Sequence, residues 1–361
     1  MTQSAGTVAW TRGIGHVLIN NVSVEIGGQQ IDKHYGAWLQ IFSELTLNAE
    51  HEDGYNVMIG NTAALTTQAA AIAATSLFIP LQFFFNRNAG LALPLIALQY
   101  HEVKINIEFK AAADCYVTDD ALAPSSGTPA IVAASLWVDY VFLDTDERRQ
   151  FSQIGHEYLI EQLQFTGEES YSATSVKSKL SFNHPCKELV FAFQLDANTA
   201  SGANRHIDYT DNGAGAAPYA GADPLTEAKL LLNGHDRFAT RPAKYFNLVQ
   251  PYQHHTRIPA TGIYCYSFAI KPEEHQPSGT LNMSRIDNAT LQLTLGSSAA
   301  GKLSTFATNY NVLRILSGIT NRLCQTVSCY ISFVITYMDK QCKLQMDLTP
   351  INPSYNLLVS C

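Results

Sequence analysis

Short runs in which apolar and polar residues alternate make up most of the chain, and they predict strands. "VLINNVSVEI", residues 17–26, alternates loosely and ends at Gly27-Gly28; with "QQID" behind it, this reads as a tight hairpin. In "HEVKINIEF", residues 101–109, Val103, Ile105, Ile107 and Phe109 share one face. "LFIPLQFFF", "SLWVDYVFL", "KELVFAFQL", "GIYCYSFAI" and "NYNVLRIL" read as further strands, and "AKLLLNGHDRF" as a strand entering a turn at Asn233-Gly234. Helical spacing is confined to short pieces. Tyr35, Trp38, Leu39, Phe42 and Leu45 line one face of residues 34–45, and "RPAKYFNLVQPY" is a short helix with proline near both ends. "LALPLIALQ", with Pro94 at its centre, is a helical turn or an irregular core segment. Many short strands, turn chemistry and sparse helix predict an all-β chain of sandwiches or jelly rolls.

The elements repeat in order. Strand, glycine turn and short aromatic helix occur at "VEIGGQQIDKHYGAWLQIF" and again at "LLLNGHDRFATRPAKYFNLVQ". Each unit is followed by a Gly-led segment that runs into a strand, from Gly90 in the first case and Gly279 in the second. Two copies of one all-β domain are predicted. The charged run "DTDERRQ", residues 144–150, marks the boundary between them. The expected division is a first domain over 1–149, a linker over 150–157, a second domain over 158–318 and a C-terminal tail over 319–361.

Composition narrows the class. The 361 residues are 46% hydrophobic but only 15% charged, against roughly 25% in ordinary globular chains, which disfavours disorder. The net charge of −8 and the lack of any Lys/Arg run beyond Arg148-Arg149 argue against direct nucleic-acid binding. The start of the chain has no signal-peptide pattern. "ALTTQAAAIAATSLFIPLQFFF" is apolar, but Thr, Ser, Gln and Pro80 interrupt it; it reads as a loop entering a buried strand, not as a transmembrane segment. Four of the seven cysteines, Cys324, Cys329, Cys342 and Cys361, crowd the tail; there is no CxxC, and reduced thiols are expected.

The search for chemistry returns little. His254-His255 are adjacent, so on a strand they would point to opposite faces, which makes joint metal ligation awkward. His101-Glu102 and His156-Glu157 lack HExxH spacing, and GxSxG, Walker and GxGxxG patterns are absent. Glu273-Glu274 and Asp119-Asp120 read as solvated loop charge. No catalytic, metal or cofactor site is expected. Sequons stand at Asn21, Asn282 and Asn288, but without a secretion signal glycosylation there is not expected. "SGTLNMSRIDN" reads as a joint: a corner at Pro277 and Gly279, a polar crossing that an Arg285–Asp287 contact would stiffen, then a strand.

Longer stretches carry a resemblance. "IGHVLINNVSVEIGGQQIDKHYGAWLQIFSELT", "NRNAGLALPLIALQYHEVKINIEF", "LWVDYVFLDTDERRQFSQIGHEYLIEQLQ", "NGHDRFATRPAKYFNLVQPYQHHTRIP", "FAIKPEEHQPSGTLNMSRIDNATL" and "NYNVLRILSG" together resemble major capsid proteins of nucleocytoplasmic large DNA viruses, the phycodnavirus, iridovirus and mimivirus group. The match covers roughly residues 13 to 318 in the family's order. It implies a double jelly roll of two eight-stranded sandwiches, with short helices in loops. It also implies a homotrimer of pseudo-hexameric outline that tiles an icosahedral shell beside neighbouring capsomers and minor capsid proteins, in a virion assembled in the host cytoplasm. Gly27, Gly28, Asp32, Trp38, Asn88, Gly90, Pro94, His101, Asp144, Arg148, Asn233, Gly234, Pro277, Gly279, Arg285 and Asp287 then form a structural signature, none of it catalytic. Loops 110–134 and 196–226 would face outward or meet neighbours. Against the family pattern the first jelly roll lacks its opening strands, which predicts a defective first domain and poor solubility. The tail is expected to stand outside both jelly rolls; the alternative is that it fills the vacant strand positions. A β-sandwich glycan-binding module is the alternative function, and a β-sandwich hydrolase is a third.

Overall fold

The computed structural model describes residues 7–98, 101–118, 130–200, 202–211, 219–296, 300–315, 328–338 and 343–348. The strands, in chain order, are β1 Val8–Trp10, β2 Ile19–Ile26, β3 Gln29–Tyr35, β4 Leu77–Ile79, β5 Val103–Phe109, β6 Tyr116–Thr118, β7 Ile131–Val141, β8 His156–Tyr171, β9 Ser175–Leu180 and β10 Pro185–Leu195. They continue as β11 Leu225–Leu232, β12 His235–Asp236, β13 Arg241–Pro242, β14 Ile263–Ser267, β15 Leu281–Asn282, β16 Ala289–Leu295, β17 Gly301–Ile315, β18 Ser328–Met338 and β19 Lys343–Leu348. All helices are short, the longest being Gly36–Thr46.

The chain divides into two units: residues 1–39, 56–162 and 311–361, and residues 40–55 and 163–310. The chain passes between them at 39–40, at 55–56 and inside the long strands β8 and β17. The charged run forms the helix Thr145–Gln153, started by a capping box in which Asp144 and Glu147 satisfy each other's backbone ends. Charge in this stretch therefore marks a solvated helix, a common alternative to a linker. Residues 40–55 join the second unit through Arg257, whose amide donates to the Leu45 carbonyl at 3.0 Å and whose guanidinium meets Glu52 at 2.7 Å.

In the first unit one sheet runs β19-β5-β2-β3 and another β4-β18-β7, with β1-β6 as a separate pair. The β2–β3 hairpin turns at Gly27-Gly28, both at positive φ. On β5, alternate residues Val103, Ile105 and Ile107 are buried. They pack with Val22, Val24, Leu77, Ile79 and Phe83 to Phe85 into one core, against which Leu136 and Val138 of β7 also rest. "LFIPLQFFF" is only partly strand: Leu77–Ile79 pairs, Pro80 follows, and Phe84–Arg87 is a helical turn. The segment around Pro94 is irregular.

In the second unit two sheets face each other, β14-β10-β17-β8 with β15 attached, and β12-β11-β16-β9 with β13 attached. Their shared core includes Val176, Leu189, Phe191, Phe193, Leu230, Tyr264, Leu291, Leu293 and Leu303. This is the inner-face alternation of a β-sandwich. The Asn233-Gly234 turn has both residues at positive φ, as a two-residue hairpin of this hand requires.

The tail does not stand apart. β18 pairs with β4 and β7, and β19 pairs with β5, so both join sheets of the first unit. Unpaired strand edges attract any β-forming segment of the same chain, and "CYISFVITYM" is such a segment. Cys324, Cys342, Cys361 and Asp119-Asp120 lie outside the described residues, as do parts of loops 110–134 and 196–226.

Candidate functional site

The signature residues lie at turns, caps and the core. A Cβ on Gly27 would sit 2.8 Å from His101 Nδ1, so the hairpin turn and His101 pack directly together. Asp32 is buried on β3 with His34, their side chains 3.0 Å apart. Trp38 is buried in its short helix. Asn88 Oδ1 accepts from the Gly90 amide at 2.9 Å, and the Pro94 carbonyl accepts from Ala97 at 2.9 Å. Asp144 caps its helix, and the Arg148 amide closes the first turn on the Asp144 carbonyl. Asn233 Oδ1 accepts from the Asn288 amide at 3.1 Å while the Asn233 amide donates to the Asn288 carbonyl at 2.7 Å. Of the sequon asparagines, Asn21 also donates to Glu108, and Asn282 accepts from the Ser284 amide.

The polar stretch that begins at Pro277 is a crossing between strands. Pro277 and Gly279 are exposed. Ser278 is tied to Lys271, β15 pairs with the start of β10, and the Met283 amide donates to His184. The expected Arg285–Asp287 contact is not formed; both side chains are exposed, and the joint is held at His184, whose carbonyl accepts from the Met283 amide and whose amide donates to the Ser284 hydroxyl. Arg285→Ala should therefore leave thermal stability within about 0.5 kcal/mol of the parent. Calorimetry checks this, and a larger loss would mean that the side chain holds the joint after all.

The strongest constellation of titratable groups includes His255 and Glu273, and Glu273, expected as solvated loop charge, instead holds His255 and Thr256; Lys187 and Glu188 escaped the sequence reading. On β10, Lys187 and Glu188 are both buried within an apolar strand. His255, just past the helix Gln250–His254, lies between two carboxylates: Nε2 is 3.1 Å from Glu188 Oε2, and Nδ1 is 3.0 Å from Glu273 Oε1. Glu188 also accepts from Thr308 on β17, and Glu273 accepts from the Thr256 amide and hydroxyl. Lys187 donates to the Pro272 carbonyl and lies over the Tyr310 ring. His254 turns elsewhere, toward the Ile270 carbonyl.

The electrostatics make this cluster a cross-link. Burial pulls the His255 pKa down, but Glu188 and Glu273 override it and push it up to about 12. Burial pulls Glu188 up, and His255 and Lys187 more than reverse this, leaving it below the ordinary carboxylate value. Burial raises the neighbouring Cys265 thiol. A histidine held protonated is no general base at neutral pH, and a thiol with a raised pKa is a weak nucleophile. Among the described residues no group of His, Cys, Asp and Glu has the arrangement to hold a metal ion.

A second polar centre orders the long Gly/Ala/Asn loop. Asp208 accepts from the Thr210 amide and hydroxyl and from the Tyr219 amide, while Asn198 donates to the Asp208 and Thr210 carbonyls. These described parts of the loop are fastened to the sandwich. No spacing in the sequence distinguishes Asp208 from the loop's other polar residues.

Comparison with known proteins agrees with this distribution of structural roles. Residues 1–144 match the family model "Major capsid protein N-terminus", and residues 147–321 match "Large eukaryotic DNA virus major capsid protein". The major capsid protein of Pyramimonas orientalis virus is 49% identical over 344 residues, covering 88% of this chain and 79% of that protein. The major capsid protein of Paramecium bursaria Chlorella virus 1 is 42% identical over 350 residues, covering 84% and 78%. Among solved structures, a chain of the quasi-atomic PBCV-1 virus capsid superposes with a TM-score of 0.67 at 35% identity, covering 89% of this chain and 88% of its own. The Faustovirus major capsid protein superposes with a TM-score of 0.65 at 14% identity, covering 86% and 74%, a likeness of fold. The glycan-binding alternative finds no support among these matches. The fold is a double jelly roll, and the chain belongs to the major capsid proteins of large eukaryotic DNA viruses.

Proposed function

We propose that this chain is the shell-forming subunit of a large DNA virus. Three copies associate into a capsomer, and the six sandwiches they contribute give it a pseudo-hexagonal outline that tiles an icosahedral capsid. The observation that carries this reading is the consecutive match of both capsid family models along one chain, with likeness to a PBCV-1 capsid chain over 89% of its length. The role is structural, without enzymatic activity; the buried charge cluster and capped turns serve rigidity. Partners are neighbouring copies, neighbouring capsomers and minor capsid proteins, and assembly takes place in the host cytoplasm. The net charge of −8 supports a shell without direct contact to nucleic acid. No helix among the described residues is long and apolar enough to cross a membrane. Electron microscopy of the purified chain tests the proposal: particles of hexagonal outline, forming flat or curved lattices when concentrated, are expected. Uniformly monomeric particles that never associate would overturn it.

A further inference from the structure

Two strands of the first unit depend on one partner. β4 and β7 each pair with β18 and, among the described strands, with no other. The registers set Val334 opposite Phe78 on β4 and Ser332 opposite Trp137 on β7. In the other sheet β19 lies along β5, Met346 opposite Ile105 and Leu344 opposite Ile107. β18 and β19 both lie beyond residue 321, where the second family match ends. We propose that residues 328–348 act as a strand donor within their own chain, completing both sheets of the first jelly roll.

The acceptor has the properties of a strand-binding groove. Leu77 and Ile79 of β4 are buried, while β7 is half-exposed and rests one face, Ile131, Ala134, Leu136 and Val138, on the core. The backbone N–H and C=O groups of a strand laid against a core are satisfied by a neighbouring strand. Among the described strands, the 11-residue β7 pairs with β18 alone. β5, buried on one face, presents the outer edge that β19 covers. Such an edge is a template for a further antiparallel strand.

The donor sequence suits the groove. "SCYISFVITYM" is rich in β-branched and aromatic residues and contains no glycine, proline or charge. "KLQMDL" alternates polar and apolar residues along the β5 edge. The occupant is thus an uncharged, β-branched strand followed by an alternating one, supplied by the same polypeptide.

Disulfide trapping in the full chain tests the assignment. Cys324, Cys329, Cys342 and Cys361 are replaced by serine, and Phe78→Cys is combined with Val334→Cys. Residues opposed on paired strands are close enough for a disulfide to form. Oxidation should give an intramolecular bond in most molecules, read as faster migration on a non-reducing gel at monomer mass. Phe78→Cys with Ile331→Cys is the control, because Ile331 lies opposite Val138 on β7, and it should give none. Equal bonding in both pairs, no bonding in either, or bonds that link separate chains would overturn donation within the chain. Hydrogen exchange gives a second reading on the unmodified protein. Amides of residues 131–141 should be protected in the full chain, should exchange at least ~100-fold faster in a chain ending at residue 321, and should recover with an added peptide spanning 326–350. Undiminished protection in the shortened chain would overturn the proposal.

Discussion

Replacing Glu188 with glutamine is expected to cost about 3 kcal/mol of the second unit's stability, the low end of the range for removing one partner of a buried ion pair. The residue is 5% exposed and holds three elements at once: His255 beyond its helix, Thr308 on β17 and its own strand β10. Glutamine keeps the volume but leaves protonated His255 with Glu273 alone. A domain with about 5–15 kcal/mol in total would lose a large fraction of its margin. His255→Gln should cost a similar amount, and the double variant less than the sum, because each single change leaves the other's charge uncompensated. The pH dependence distinguishes this from a simple packing loss. Glu188 lies below its ordinary 4.5, so its contribution is present above pH 4.5 and is lost as pH falls through its lower folded value. His255 is raised from 6.5 to about 12, so its contribution is complete below pH 6.5 and erodes as pH climbs toward about 12. The stability gap between parent and Glu188→Gln should therefore be widest between pH 4.5 and 6.5 and narrow on both sides. Denaturant titrations across pH measure it, and a gap independent of pH would refute the ionic account.

Gly262→Ala should be at least as damaging. Gly262 has φ +92°, a conformation that residues with a side chain rarely adopt. A Cβ there would lie 2.0 Å from the Tyr209 carbonyl oxygen and 2.6 Å from its carbon. Those are backbone atoms, so no rotamer change relieves the overlap. Tyr209 belongs to the long loop that Asp208 and Asn198 fasten, and Gly262 leads directly into β14 at the edge of its sheet. Either the loop must detach or β14 must shift off β10. The combined strain and repacking cost is expected to be about 3 kcal/mol or more. Urea titration should show a lower midpoint, and limited proteolysis should show new cleavage between residues 196 and 226. A variant with the parent's midpoint and digestion pattern would contradict the close packing.

Several of these features were legible in the sequence, and the reason lies in locality. β5 was readable because Val103, Ile105 and Ile107 alternate within one strand and all bury. The turns at Gly27-Gly28 and Asn233-Gly234 were readable because positive φ favours these residue types. The charge at 144–150 was readable as a mark and falls where the two family matches divide, but its form as a capped helix was not, and the passage between the compact units inside two long strands has no compositional mark. The strand expected over Leu77 to Phe85 was cut short at Pro80, which cannot donate to a ladder. The cluster of Lys187, Glu188, His255 and Glu273 had no sequence spacing, since the fold alone brings its three segments together. A hint was present in two adjacent charges, Lys187-Glu188, that open an otherwise apolar strand and so require buried partners. The long resemblance carried the functional class, because co-linear stretches over most of the chain are far more specific than any motif.

The central claim is assembly, and the mass of the purified full-length chain in solution tests it most directly. Sedimentation equilibrium at micromolar concentration should return three times the 39.6 kDa chain mass, with no stable monomer. A folded species that remains at 39.6 kDa across the concentration range would contradict the account.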